Sequence, residues 1–354
     1  MMKMVTKIIW MFIAIVSLML SLKAPAPSAP VDPVTEPTEN VFMTTYGNTQ
    51  ISAHRLGGDN APENTLAAVK DCLENAEENP FDYFEMDVQL TRDDEIVVYH
   101  SLYLDELSDA AEHFGKENTT VFSKTYAELR ELNLGEYFKD NDGNKPYQGL
   151  RGDDIPEDVK ISKVEEIIDY IETAAPGKYM YTLEIKYPHP WAPTMVDKLV
   201  ALLEERGMLD RVIIGSFWPD VNDYIVRKYD GKVNRAAGVF EIVDLYASYM
   251  RDLELNPDEI KYSVLQLPYY NDELPLSDVF DDTPYIVKLV GKFATADFIA
   301  YCHKYNLAVQ FWTINGEDDM LNLRLAGADA IMSDRPDRAN RVYNTYPIDE
   351  PFNR

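Results

Sequence analysis

The chain has 354 residues, 46% apolar and 12% aromatic, enough to bury a large core and to exclude global disorder. Its formal net charge is −28, and residues 1–40 contribute nothing to it, because Lys3, Lys7 and Lys23 cancel Asp32, Glu36 and Glu39. So acidic a folded part repels nucleic acid and anionic membranes, which argues against a phosphate-backbone binder and requires a cationic patch or a metal for any anionic ligand.

Lys3 and Lys7 precede the apolar run IIWMFIAIVSLMLSL, Ile8 to Leu22. A basic region followed by an apolar one is an export signal. Residues 1–23 are therefore read as a signal peptide or membrane anchor. The expected location is extracellular, periplasmic or anchored on the outer face of the cytoplasmic membrane. No Cys follows the run to carry a lipid. Residues 24–42 form a Pro-rich linker, an extended and solvated spacer, and residues 43–354 form the folded domain.

Within that domain short β-rich runs alternate with helical patterns. The strand candidates are 51–55, 83–88, 96–99, 181–186, 212–217, 236–240, 263–267, 309–314 and 330–333. Between them, NTLAAVKDCLENA carries Leu66, Val69, Cys72 and Leu73 at helical spacing. VEEIIDYIETA does so with Val164, Ile167, Ile168 and Ile171, and MVDKLVALLEERG stops at Gly207, a fitting residue just past a helix end. The alternation predicts a parallel sheet with crossover helices, a TIM (β/α)8 barrel. Nine candidates exceed the eight that a barrel needs, so one is expected to be short or misplaced. The polar, turn-rich stretch of about 101–160 reads as a small insertion after the third strand. Cys72 and Cys302 lie in separate helical segments and read as buried thiols, and no close Cys/His cluster suggests zinc.

Polar groups gather at the ends of four successive strand candidates. The first offers His54 and Arg55, the second Glu85 and Asp87, the third His100, the fourth Glu184 and Lys186. Residues two apart on a strand share a face, and in a parallel barrel these ends converge on one mouth. Three carboxylates at one place repel one another unless a cation lies between them, and hard oxygen donors favour Mg²⁺ or Ca²⁺. Arg55 and Lys186 suit a phosphate. Two histidines supply an acid and a base near neutral pH. Each residue alone also has a structural reading; the coincidence of four strand ends favours metal-assisted phosphoryl chemistry. His113 in a polar loop, His189 between two prolines and His303 on a helix lack that setting and read as structural or exposed.

The ordered set HRLGG, PENT, EMDVQLTRDD, VVYHS and LEIK, followed by Ser216-Phe217, WTIN and GADAIMSDRP, resembles the glycerophosphodiester phosphodiesterase family over roughly residues 49–340. The resemblance implies a divalent metal on Glu85, Asp87 and Glu184, and His54 and His100 as the acid–base pair. It places Arg55 and Lys186 on the phosphate, Glu63 as a nearby polar support, and Trp312 against the glycerol moiety. It implies hydrolysis of a small glycerophosphodiester to glycerol 3-phosphate and an alcohol. Either water or the neighbouring glycerol hydroxyl fits as nucleophile. A related phospholipase acting on lysolipids, or a surface binding protein on a decayed scaffold, are the alternatives. Two positions depart from the family pattern. Leu56 replaces the Gly of His-Arg-Gly, where a Cβ is expected to shift the loop and narrow access to the phosphate. Ser101 replaces the Asp after the second His and is expected to orient His100 more weakly.

Overall fold

A computed structural model of the protein describes residues 33–188, 190–269 and 293–348. The expected export leader, the first part of the expected linker and His189 lie outside the described residues. The chain divides into two compact units. One comprises Gln50–Gly238 and Met332–Pro347; the other comprises the segment up to Thr49, Val239–Ile331 and the residues from Ile348.

The first unit is built on strands β1 (Gln50–Ala53), β2 (Tyr83–Leu90), β3 (Ile96–Val98), β4 (Met180–Ile185), β5 (Val212–Gly215) and β6 (Asn234–Arg235). β1, β2, β4, β5 and β6 are joined in parallel in the order β1-β2-β4-β5-β6. β2 is buried along its whole length, because β1 and β4 flank it and β3 closes over its upper half. Its alternate residues Phe84, Met86 and Val88 are apolar, and Phe84 packs with Phe81 and Tyr179 at ring centroid distances of 4.9 Å for Phe81–Phe84 and 5.0 Å for Phe84–Tyr179. The opposite face carries Glu85, Asp87 and Gln89. The helix Val164–Ala174 buries Val164, Ile167, Ile168 and Ile171, the stripe its spacing predicts, each side chain worth about 1.5–3 kcal/mol of burial. Helix Ala192–Glu205 ends before Gly207, which takes φ +62.

The strands depart from expectation at three places. The first strand stops at Ala53, and His54–Leu56 form a tight turn instead, since Arg55 (φ 50) and Leu56 (φ 66) are left-handed and cannot continue a ladder. The supernumerary strand is the third, which pairs antiparallel with β2 as a hairpin, Val88 opposite Val98. The strand expected at 236–240 is the two-residue β6 at Asn234–Arg235, and Val239 already opens the helix Val239–Met250. In that helix Val243, Leu245 and Tyr246 are buried.

The stretch after β3 makes short helical turns around a core of its own, in which Leu104, Val121, Leu129, Leu132, Leu134 and Ile161 pack with Tyr99. It returns to its starting point, where Val98 N donates to Ser162 O at 3.0 Å and Lys163 bridges Val97. His113 sits in the short helix Ala110–Phe114 of this stretch, not in a loop, with its ring edge-on to Phe114.

In the second unit β7 (Val264–Pro268), β8 (Ala308–Trp312) and β9 (Ala330–Ser333) pair in parallel, in the order β7-β8-β9, and β9 crosses the division at Met332. Asp329, fully buried, accepts from Thr44 N (2.7 Å), Val309 N (2.6 Å) and His303 Nε2 (2.8 Å), which gives His303 a structural role. Cys72 and Cys302 are free, buried thiols. Among the described residues no helix is long and apolar enough to cross a membrane.

Candidate active site

The register of β2 against β4 creates the acidic cluster. Asp87 lies directly opposite Glu184, and Glu85, two residues earlier on the same face, sits opposite Thr182. Donor oxygens of Glu85, Asp87 and Glu184 all fall within 4.8 Å of one another. Lys186, one residue past β4, places Nζ 2.8 Å from Glu184 Oε1 and 3.2 Å from Asp87 Oδ1.

His100 reaches this level for the reverse of the expected reason. β3 runs back down along β2, and Tyr99 N donates to Asp87 O at 2.8 Å, so the next residue is delivered to the height of the carboxylates. Arg55 Nη2 donates to His100 Nε2 at 3.0 Å. A guanidinium only donates, so this nitrogen accepts and the imidazole is neutral with its proton on Nδ1. Burial, reinforced by Lys186 and Arg55 against the pull of Asp87, pushes the His100 pKa down to about 3.

The left-handed turn at 55–57 aims the first loop inward. Arg55 N donates to Glu85 Oε2 at 2.6 Å, and the Arg55 guanidinium forks onto Glu63 at 3.2 and 2.9 Å. Two glycines close the turn. A Cβ on Gly57 would stand 2.5 Å from Cys72 Sγ, and one on Gly58 would stand 2.7 Å from Glu63 Cβ. Leu56 does not narrow the mouth as expected: its side chain is fully buried while its backbone keeps the left-handed conformation that a glycine would take. Thr65 then caps the helix Leu66–Glu74, accepting from Ala68 N.

Two residues that sequence reasoning did not single out hold the others. Asp334 accepts from His54 Nδ1 at 2.7 Å, leaving Nε2 3.9 Å from Glu85 Oε2. Asn64, itself buried, donates from Nδ2 to Asp87 Oδ2 at 2.8 Å and accepts from Asp87 N at 3.2 Å. Both stand inside motifs already noted, GADAIMSDRP and PENT. No periodicity tells that Asp334 faces a residue 280 positions earlier.

The electrostatics follow from burial and neighbours. Burial opposes charge on Asp87, yet Lys186, His100, Arg55 and the Asn64 hydrogen bond outweigh it and hold the carboxyl below its ordinary range. On Glu85, burial and the Asp87 charge outweigh His54 and the Arg55 N–H and push it up to about 8. Burial raises Glu184 as well, against Lys186. Burial works against the charge of His54 too, but Asp334 and Glu85 raise it overall.

Burial and mutual repulsion thus raise two of the three carboxyls, and the cations beside Asp87 lower the third. Glu184 Oε1, though beside Lys186, accepts no aligned hydrogen bond. A divalent ion with oxygen ligands fits that donor set. His54, Arg55, Glu63, Glu85, Asp87, His100, Glu184 and Lys186 thus come together in one unit, joined by direct contacts. Trp312 closes β8 in the other unit and is half-buried.

A family model for the glycerophosphoryl diester phosphodiesterase family matches residues 54–338. The glycerophosphodiester phosphodiesterase of Caldanaerobacter subterraneus subsp. tengcongensis is 27% identical over 290 residues, 82% of this chain and 95% of the relative. That of Bacillus subtilis is 26% identical over 305 residues, 83% and 86% of the two chains. Among solved structures, the putative glycerophosphoryl diester phosphodiesterase of Silicibacter pomeroyi matches with a TM-score of 0.59 at 21% identity, covering 86% of this chain and 96% of that one. An Oleispira antarctica phosphodiesterase in complex with the product sn-glycerol-3-phosphate matches at 0.58 and 20%, covering 83% and 96%. The fold is a TIM barrel, as the alternation of strands and helices predicts. The chain belongs to the glycerophosphoryl diester phosphodiesterase family, and is a phosphoric diester hydrolase.

Proposed function

We propose that the protein hydrolyses small glycerophosphodiesters to glycerol 3-phosphate and an alcohol at this acidic cluster, with a divalent ion on Glu85, Asp87 and Glu184. The observation that carries the reading is the packing of three carboxylates within 4.8 Å beside two fixed cations, Arg55 and Lys186, and two histidines. The product complex of the Oleispira relative supports the substrate class. A bound Mg²⁺ or Ca²⁺ would supply Lewis acidity toward a phosphate oxygen and a template for the diester.

The chain's own residues do the rest. Arg55 and Lys186 neutralise and orient the phosphate. The phosphate oxygens take over the Arg55 Nη2 hydrogen that His100 Nε2 accepts in the free protein, and this releases an imidazole lone pair at the reacting centre. His54 and His100 then act as a pair: one takes the proton of the attacking hydroxyl or water, the other delivers a proton to the departing alkoxide. The bond from phosphorus to the leaving oxygen breaks, and the bond to the attacking oxygen replaces it. Glu63 anchors the Arg55 guanidinium through Nη1. The run Ile8 to Leu22 would send the enzyme across the cytoplasmic membrane, to substrates outside it.

The test is release of glycerol 3-phosphate from glycerophosphocholine by the purified protein with Mg²⁺ or Ca²⁺, repeated after chelation. Metal-dependent release is expected. No release with any divalent ion from folded protein, with turnover of a lysophospholipid instead, would overturn the substrate class. Release that survives chelation would overturn the metal.

A further inference from the structure

We propose that Asn64 is the residue that sets the geometry of the metal site: it fixes which oxygen of Asp87 faces the ion. The inference rests on the metal reading given above and assigns a positioning role to a side chain outside the three carboxylates.

Asp87 is held on every side. Asn64 Nδ2 donates to Oδ2 at 2.8 Å, Asn64 Oδ1 accepts from Asp87 N at 3.2 Å, Lys186 Nζ stands 3.2 Å from Oδ1, and Arg55 Nε lies 4.0 Å from Oδ2. The Asn64 amide grips both the carboxylate and the backbone of the same residue: turning the carboxylate breaks the buried Nδ2–Oδ2 bond and parts Oδ1 from Lys186, while the backbone N–H bond keeps the amide in register with Asp87. Oδ2 is committed to the amide, and Oδ1 is the oxygen presented toward Lys186. Asn64 also ties the ligand to the phosphate-binding loop, since its own N–H donates to Arg55 O at 2.9 Å. Its φ of 56 is left-handed, a conformation that asparagine tolerates and most residues do not. Side chain and backbone requirements therefore both select this residue type. Outer partners that orient a ligand typically contribute 10–100-fold in metal affinity.

The test replaces Asn64 in the full chain by glycine, which accepts the left-handed backbone and deletes the amide; Asn64→Ser, whose hydroxyl is too short to bridge Asp87, serves if the glycine variant does not fold. Thermal melting without metal establishes that the variant is folded, and calorimetric titration with Mg²⁺ and with Ca²⁺ reads the affinity. The expected result is metal binding about 10–100-fold weaker than in the parent, with most of the turnover restored at saturating metal because no reacting group is lost. Equal affinity in parent and variant would overturn the role of Asn64 and leave the metal reading standing. Lost turnover that no metal concentration restores would also overturn it. A parent protein that binds no divalent ion would overturn the metal reading itself, and this inference with it.

Discussion

His54 Nδ1 lies 2.7 Å from Asp334 Oδ1, and that single contact joins the first strand's end to the last strand's end within one unit. The carboxylate accepts the Nδ1 hydrogen and fixes the ring plane, so that in the role proposed for His54 the proton is exchanged at Nε2. Replacing Asp334 by Ala frees the ring to turn and removes the charge that favours the imidazolium. The expected outcome is a fall in kcat of about a hundredfold, the lower end of what positioned acid–base groups contribute, with KM for glycerophosphocholine nearly unchanged. Steady-state kinetics on the folded variant check it. An unchanged kcat would remove His54 from proton transfer.

His100 is held from its other nitrogen. Ser101 Oγ lies 3.5 Å from Nδ1, the outer limit of a hydrogen bond, whereas Arg55 Nη2 lies 3.0 Å from Nε2. Ser101→Ala should therefore leave kcat within about threefold of the parent, since so long a contact is weak. His100→Ala should abolish turnover with the fold intact. A large loss in Ser101→Ala would show that the serine, not the guanidinium, orients the ring.

Leu56 is a conformational cost retained for packing. Its φ of 66 costs about 1–2 kcal/mol for a residue with a Cβ, yet its side chain is fully buried. Leu56→Gly relieves the strain and loses the burial, which is worth roughly 2–5 kcal/mol for a core leucine. The net expectation is a destabilisation of about 2 kcal/mol in urea unfolding. A stabilised variant would mean that the side chain packs poorly.

The acid limb of stability should carry the mark of Glu172. Its carboxylate accepts from Arg211 Nη1 at 2.8 Å and Nη2 at 2.7 Å, from Tyr181 Oη at 2.5 Å and from Gly177 N at 3.0 Å. Burial works against the charged form, but these donors outweigh it and hold the pKa below 4.5. A depressed carboxyl stabilises the fold fully above its unfolded pKa, and that contribution is lost as pH falls through the folded value. Glu172→Gln should thus cost about 1–3 kcal/mol at pH 7, with the gap to the parent constant down to about pH 4.5 and shrinking below it. A gap that widened on acidification would contradict the assignment.

The barrel was legible because apolar runs and amphipathic helices alternate, and the acidic cluster because Glu85 and Asp87 on one strand, and Glu184 and Lys186 at the end of another, lie two residues apart. What the sequence did not disclose is direction and partnership. The run 96–99 reads as one more parallel strand, and only the pairing of Val88 with Val98 reverses it. β6 escaped because Arg235, a charged residue, occupies a fully buried strand position that apolar patterning passes over. Asp334 and Asn64 escaped because a positioning residue is defined by what it touches, and Glu63 drew attention as the neighbouring charge. Leu56 looked like an obstacle because the chain's text cannot say which way a side chain turns.

The stretch between Val98 and Ser162 leaves and re-enters the wall through a gap one hydrogen bond wide, with its hydrophobic interior largely self-contained. Its tip reaches the rim, where Asn141 accepts from Arg335 at 2.8 Å and donates to Asn60 at 3.3 Å. Such a segment behaves as an exchangeable cassette. Its apolar interior closes on itself apart from Val97 and Tyr99, so a change of length or charge at its tip falls on the rim and leaves the register of β2 against β4, and with it the acidic cluster, where it is.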